Sequence, residues 1–497
     1  MEEISQQATS SYKNILKATS LFGGIQVYTI LINIIKTKIL AIFLGPEGVG
    51  IEGLFKSGIE LVQNITSLGL SASAVREVAD ANGAQDTARI SKTVYIVRKL
   101  VWITGLFGLV SFALLSPWLS EFTFGNKDYT VSFILLSIIL LLDQVSAGQK
   151  VILQGLGRYK YLAKSTAYGA TFGLILSIPL YYYLGIKGVV PTLILNSTCT
   201  LVLSWFFSRK IILPKEHISA KQSLIDGKSM MKMGFSICLS GAEAALIAYL
   251  LRSIIRNQGG IEEVGLFQAG FILMNSYVAL VFNAMGTDFY PRLANVNHDN
   301  VKCCEVINQQ GIVASCLLSP ILIAFIIYVP IAIYILYSDS FQAIGSYIIW
   351  ASLGMMFRLS SWLMSFLFLA KSVAKEYIIN ETVAKTYFFV LNIIGYLLGS
   401  IEGLGIAFAV SYLLYTIQVF CIIHKKYNFT YDKQFIMYFL LYICFVVVAI
   451  FIAHFSLVLR YSFGTLLFIL SLFVSIRILD KKIGLVEIIR NKIKIVK

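Results

Sequence analysis

The chain has 497 residues, of which 57% are hydrophobic and only 13% charged, with a formal net charge of +15 and a mean hydropathy of +0.78. Soluble domains carry about 25% charged residues, so soluble enzymes, nucleic-acid binders and secreted disulfide scaffolds are excluded as classes. What remains is a polytopic membrane protein, whose function must be read from what is polar inside the lipid.

A hydrocarbon core about 30 Å thick needs a helix of about 20 mainly apolar residues. Fourteen such stretches follow in chain order, near 15–42, 48–72, 93–116, 131–149, 163–184, 188–208, 230–252, 264–286, 312–337, 344–369, 377–399, 403–423, 434–456 and 461–479. Strand-like alternation is absent, so the expected fold class is an all-α polytopic membrane protein of about 14 transmembrane helices and not a barrel. Glu2 and Glu3 stand where a leader would be basic, and the first apolar stretch is too long for a signal core, so the first span is expected to stay in the mature chain.

The basic stretch 209–228 divides the first twelve spans into two sets of six. The expected organisation is an N-terminal lobe at 1–208, a basic cytoplasmic linker at 209–229, a C-terminal lobe at 230–424, and a further pair of spans with a basic tail at 425–497. Two pseudo-symmetric six-helix lobes are a common transporter plan, with the substrate path between them. Within the tail, Ile483, Val486, Ile489 and Ile493 share one side while Arg490, Lys492 and Lys494 lie elsewhere, the pattern of a short helix on the inner surface. With both termini cytoplasmic, most loop lysines and arginines fall inside. The outside segments then hold only Lys127, Lys187, Arg252, Arg256 and Arg460, as the positive-inside rule requires.

Motifs that resemble soluble chemistry fail on context. Gly48, Gly50 and Gly53 match G-x-G-x-x-G but open a membrane span with no βαβ unit around them. Gly227-Lys228-Ser229 ends like a P-loop, yet Gln222 stands where its first glycine belongs. The seven cysteines show no C-x-x-C, and the four histidines have no ligand spacing, so neither a disulfide framework nor a metal site is expected. Gly169-x-x-x-Gly173 and Gly395-x-x-x-Gly399 suit close helix packing.

Charges within the spans are expensive, roughly 2.5–3.5 kcal/mol each at a helix centre, and here they share helical faces. The second span carries Glu52, Lys56 and Glu60 at i, i+4 and i+8, followed by Gln63 and Asn64; the first offers Gln26, Asn33, Lys36 and Lys38. Span seven has Glu243, then Arg252 and Arg256 at its outer end; span eight has Asn275 and Asn283; span ten has Arg358; span eleven has Glu381 and Lys385. The bland reading is internal pairing: Lys56 with Glu52 or Glu60, and Lys385 with Glu381. Lys36, Lys38 and Arg358 have no such neighbour in sequence, which points to a wet, cationic cavity for a hydrophilic or anionic cargo.

At these residues the chain resembles a known family. The run Lys38-Ile39-Leu40-Ala41-Ile42-Phe43-Leu44-Gly45-Pro46-Glu47-Gly48-Val49-Gly50 is similar to the first-loop signature of bacterial polysaccharide translocases, the O-antigen flippase type of the MOP (multidrug, oligosaccharidyl-lipid, polysaccharide) exporters. So are Leu68-Gly69-Leu70-Ser71-Ala72-Ser73-Ala74-Val75-Arg76, Leu153-Gln154-Gly155-Leu156-Gly157-Arg158, Asp288-Phe289-Tyr290-Pro291-Arg292-Leu293 and Glu402-Gly403-Leu404-Gly405-Ile406-Ala407. Gly45-Pro46 is expected to end the first span, and Pro291 to close the eighth.

The resemblance implies a MATE-like fold, a bacterial inner-membrane location and no enzymatic activity. Its cargo would be an undecaprenyl-diphosphate-linked oligosaccharide, moved from the cytoplasmic to the outer leaflet by alternating access for surface polysaccharide synthesis. Membrane lipids and the polysaccharide polymerase and chain-length machinery are the partners it suggests, with no nucleic acid. It needs no resident cofactor and leaves room for proton or sodium coupling. From depth and helical face, Lys36, Lys38, Lys56 and Arg358 are the expected headgroup contacts, with Arg252 and Arg256 at the exit. Gln26, Asn33, Gln63, Asn64, Asn275 and Asn283 are candidates for sugar hydroxyls, and Glu60 and Glu243 for ion coupling. The alternatives are another MOP exporter, either a cation-coupled multidrug antiporter or a teichoic-acid-type exporter, and, further off, a membrane glycan polymerase or acyltransferase.

Overall fold

The computed structural model describes the backbone at 2–212, 214 and 219–484. It describes side chains within those ranges from residue 24 onward, except at 233, 236, 237, 277, 279, 280, 283, 284, 287, 374 and 483. The amphipathic tail expected beyond 484 and the side chain of Asn283 lie outside the described residues.

All the regular structure described is helical. In chain order it comprises α1 (Glu2–Thr66), α2 (Leu70–Gly83), α3 (Thr87–Phe124), α4 (Thr130–Gly155), α5 (Tyr159–Leu184), α6 (Val189–Ser208), α7 (Ala220–Asp226) and α8 (Lys228–Ile272). A π-helical turn at Leu273–Val278 leads into α9 (Ala279–Asn295), followed by α10 (Asn300–Ile327), α11 (Val329–Leu336), α12 (Ile344–Ala370), α13 (Ala374–Tyr427), α14 (Lys433–Ala453) and α15 (Leu457–Ile483). Ten described helical runs are long and apolar enough to cross a membrane. Four of these contain an internal break, at Gly45, at the 3₁₀ turn Gly185–Gly188, at Gly260 and at Gly399–Ser400. Each broken run supplies two spans, and the fourteen expected from the sequence are recovered.

The breaks have local causes. Gly45 adopts φ 62°, ψ −165°, open to a residue without Cβ, and Pro46 supplies no N–H to continue the first half of α1. At Gly399–Ser400, α13 folds back on itself so tightly that a Cβ on Gly395 would come 2.4 Å from the Gly403 carbonyl oxygen. The packing role expected of Gly395 therefore holds, but against Gly403, while Gly399 sits at the break with open space around it.

Two details differ from the sequence reading. Residues 70–83 form the separate helix α2, because Leu68 and Gly69 take positive φ after the second span and turn the chain. Pro291 does not close the eighth span: α9 runs through it to Asn295, and Arg292 pairs there with Asp288 at 2.8 Å and donates to Gln310 at 2.6 Å. Residues 287–311, between the eighth and ninth apolar stretches, are mostly helical, with Asp299 capping the start of α10 through bonds from Val301 and Lys302 N–H.

The chain forms two compact units, Met1–Gly265 and Leu266–Lys497. In the first, α2 is clamped by α3 and α4 through a core that includes Leu70, Val78, Val94, Val97 and Ile152. A cluster of rings, Phe55, Phe124, Tyr129 and Phe133, packs α1 against α3 and α4. In the second, α10 and α12 are both largely buried. The pair α14–α15 docks on α10: Tyr442 bonds Ser475 at 2.8 Å and donates to Cys316 at 3.3 Å. Arg460 is buried and covers the C-terminal end of α10, donating Nε to the Ile327 carbonyl at 3.0 Å and Nη2 to that of Ile326. A cation there satisfies carbonyls the helix leaves open and complements its dipole.

Candidate functional site

In the first unit the break at Gly45 decides the chemistry. Lys36 lies nine residues before it, and Glu52 and Lys56 lie seven and eleven after. At 1.5 Å per residue these are about 14, 10 and 16 Å from the bend, so doubling back brings Lys36 level with the other two. Lys56 Nζ pairs with Glu52 Oε1 at 2.9 Å; the Glu52 side chain is 9% exposed and that of Lys56 46%. The same carboxylate is within electrostatic range of Lys36. One turn on, the exposed Glu60 acts on Lys56 and on Arg252 of α8. Lys36, Glu52, Lys56, Glu60 and Arg252 thus alternate in sign and leave one positive charge in excess. Glu52, read from the sequence only as a pairing partner, is the hub.

Around this ladder, α8 comes backbone to backbone with α1 at Gly50 and with the turn between α1 and α2 at Gly69. A Cβ on Gly50 would meet the Ile261 carbonyl oxygen at 2.2 Å, and one on Gly69 would meet that of Gly234 at 2.2 Å. The other residues singled out in this unit are placed as follows. Gln26 and Asn33 are exposed, and Lys38, Gln63 and Glu243 half-buried. Asn64 Nδ2 donates to the Glu60 carbonyl at 2.8 Å. Arg252 is buried and donates to the Ala248 carbonyl at 3.0 Å, and Arg256 donates to Asn257 Oδ1 at 2.9 Å.

In the second unit the structure joins two residues that the sequence reading had named separately. Arg358 Nη1 donates to Asn275 Oδ1 at 2.6 Å, and Asn275 stands in the π-helical turn before α9. The guanidinium lies 5.7 Å from the centroid of Phe282 and 5.4 Å from that of Tyr412, cation–π distances. Among the described residues no carboxylate pairs with Arg358. A π-turn opens the regular helical spacing and here presents the amide that orients the arginine.

The sequence reading placed Glu381 in the eleventh span but missed several polar groups that pack with it or elsewhere inside the spans, Tyr415, Gln418, Gln144 and Asp143 among them. Asn380, Glu381, Tyr415 and Gln418 form a network: Tyr415 donates to Glu381, and Gln418 Nε2 donates to Asn380 Oδ1 at 2.7 Å. In the first unit Gln144 donates to Thr104 at 2.9 Å, and Asp143 bonds Ser197 of α6. Asp143 was visible as the carboxylate within the apolar run 131–149; the partners of the others depend on helix packing.

Residues 15–297 match the family described as polysaccharide biosynthesis protein. The chain belongs to that family. Among curated proteins it is similar to the lipid III flippases of Escherichia coli (strain K12) and Shigella flexneri, each 20% identical over 356 residues, 69% of this chain and 82% of theirs. Among solved structures it resembles the lipid II flippase MurJ in an inward closed conformation, with TM-score 0.69, 12% identity, and 93% of this chain and 99% of that one covered. An inward-facing multidrug resistance MATE transporter of the MOP superfamily gives TM-score 0.67 at 17% identity, covering 81% and 94%. This family member therefore has the helical fold shared by MATE transporters and MurJ, and the five segments quoted for the resemblance fall largely at its turns and helix ends, as at Gly45, Gly69 and Gly157.

Proposed function

We propose that this family member is a flippase that carries a lipid-diphosphate-linked oligosaccharide from the cytoplasmic to the outer leaflet of a bacterial inner membrane, for surface polysaccharide synthesis. The observation that carries the reading is the charge ladder of α1, in which two lysines inside the membrane share the Glu52 carboxylate. One excess cation in a polar seam suits a diphosphate, and the flanking amides suit sugar hydroxyls. The names of the curated relatives, lipid III flippases, support the same cargo class. Lys36 and Lys56, with Lys38 and Arg358, are the proposed headgroup contacts, Arg252 and Arg256 assist release, and Gln26, Asn33, Gln63, Asn64, Asn275 and Asn283 meet the sugars. Glu60 and Glu243 are the proposed groups for proton or sodium coupling, and both termini are cytoplasmic.

Reconstitution into liposomes with a defined undecaprenyl-diphosphate oligosaccharide tests this, scoring leaflet transfer with and without pH or sodium gradients. Transfer that requires the diphosphate is expected. Export of organic cations with no lipid transfer would instead identify a drug exporter, and a lengthened or acylated glycan an enzyme.

A further inference from the structure

Away from the charge ladder, the first unit holds a cavity of about 550 Å³ at the end where α3 begins and α4 and α6 finish. Arg98 and Trp102 of α3, Gln149 of α4, and Trp205 with Arg209 at the end of α6 line it. Two atoms in its wall are buried without a hydrogen-bond partner: Arg98 Nε, a donor, and Gln149 Oε1, an acceptor. Gln149 as a residue is only 7% exposed. Arg209 is exposed and its guanidinium lies 4.8 Å from the Trp205 ring. Trp102, Val202 and Trp205 remain about half exposed on spanning helices, at 50%, 53% and 49%, so the cavity opens onto an apolar surface.

A buried donor and a buried acceptor left open each cost stability unless a ligand completes them. A guanidinium donor calls for an anionic oxygen, which a phosphate supplies. The amide oxygen calls for an N–H or O–H donor beside that phosphate. Tryptophans favour the boundary between headgroup and hydrocarbon. We propose that this cavity binds a phospholipid headgroup whose phosphodiester carries a hydrogen-bond donor, an ethanolamine ammonium or a glycerol hydroxyl. The phosphate sits on Arg98 with Arg209 at the rim, the donor on Gln149, and the acyl chains run along Trp102 and Trp205. The cavity shares no lining residue with the charge ladder.

Native mass spectrometry of the delipidated full-length protein, titrated with phosphatidylethanolamine, phosphatidylglycerol and phosphatidylcholine of matched chains, tests the assignment. Phosphatidylcholine has the phosphate but no headgroup donor. Wild type is expected to hold one molecule of either donor-bearing lipid about tenfold more tightly than phosphatidylcholine, the upper worth of one neutral hydrogen bond from the glycerol hydroxyl and the lower worth of one from the ammonium. Gln149→Leu should erase that preference while keeping phosphatidylcholine binding, and Arg98→Gln should weaken all three lipids about tenfold. Equal affinity of wild type for the three lipids overturns the proposal, a result that needs no variant to fold. Wild-type retention by both variants does the same. Displacement of the lipid by inorganic phosphate at equal concentration would reassign the cavity to a soluble anion.

Discussion

Lys56 in the first unit sits 2.9 Å from a carboxylate, whereas Arg358 in the second is held by an amide oxygen and two aromatic rings and pairs with no carboxylate among the described residues. The two regions carry positive charge in the membrane by different physics. The ladder compensates it with opposite formal charges, so its cations are kept stable by Glu52. The arginine site uses dipoles and ring quadrupoles, which orient a cation without neutralising it. The first arrangement resists loss of its acid poorly; the second leaves a full charge for an anion.

The largest expected effect separates the regions by function. Arg358→Ala should lower lipid transfer in reconstituted liposomes by about a hundredfold, the upper worth of a charged hydrogen bond, with normal membrane insertion. Arg358→Lys should retain part of the activity, because it keeps the charge and loses the fork and ring contacts. Wild-type flux from the alanine variant would remove Arg358 from transport and break the comparison.

Glu52→Gln should act on stability first. It leaves two lysines sharing one seam with no carboxylate between them, and we expect a loss of about 2 kcal/mol in detergent unfolding. Fully buried pairs lose roughly 3–5 kcal/mol; here Lys56 is 46% exposed and solvent screens part of the effect. Asn275→Ala, which removes only a dipole, should cost less than Glu52→Gln; the reverse order would show that the arginine site is the more tightly built of the two.

The smallest effect belongs to an ion pair outside the spans. Lys92 lies 2.9 Å from Asp226 of α7, and its hydrogen bond holds the Asp226 carboxyl below the usual carboxylate range. A depressed folded-state pKa adds stability above the unfolded value, about 4, and that stability is lost as pH falls through the lower folded value. Melting temperature followed from pH 7 to pH 3 should therefore show a slightly steeper fall for wild type than for Asp226→Asn. Identical profiles would assign the pair no energetic role, and sharpen the contrast with Glu52.

The spans were legible because lipid sets their length and composition, and the break at Gly45 because glycine and proline leave a local mark; the break at Gly399–Ser400 showed only as the gap between two apolar stretches. The candidate residues were legible as polar positions in apolar runs. Their partners were less so. Lys56 with Glu52 is a helical neighbour and followed from spacing; Arg358 with Asn275 spans 83 positions and rests on a π-turn with no sequence signature. Asn380 with Gln418 likewise depends on α13 folding back at Gly399–Ser400.

By itself, then, the sequence determined a helical membrane protein, its approximate span count and the set of charged residues that the lipid makes costly, since hydropathy and one-residue helical geometry are local properties. Tertiary structure decided which of those charges meet: that Glu52 serves Lys36 as well as Lys56, that Arg358 has an amide and rings for company, and that Arg98 and Gln149 face a common cavity. Pairing across helices depends on where each helix bends and how closely glycines let neighbours approach, and no single segment encodes that.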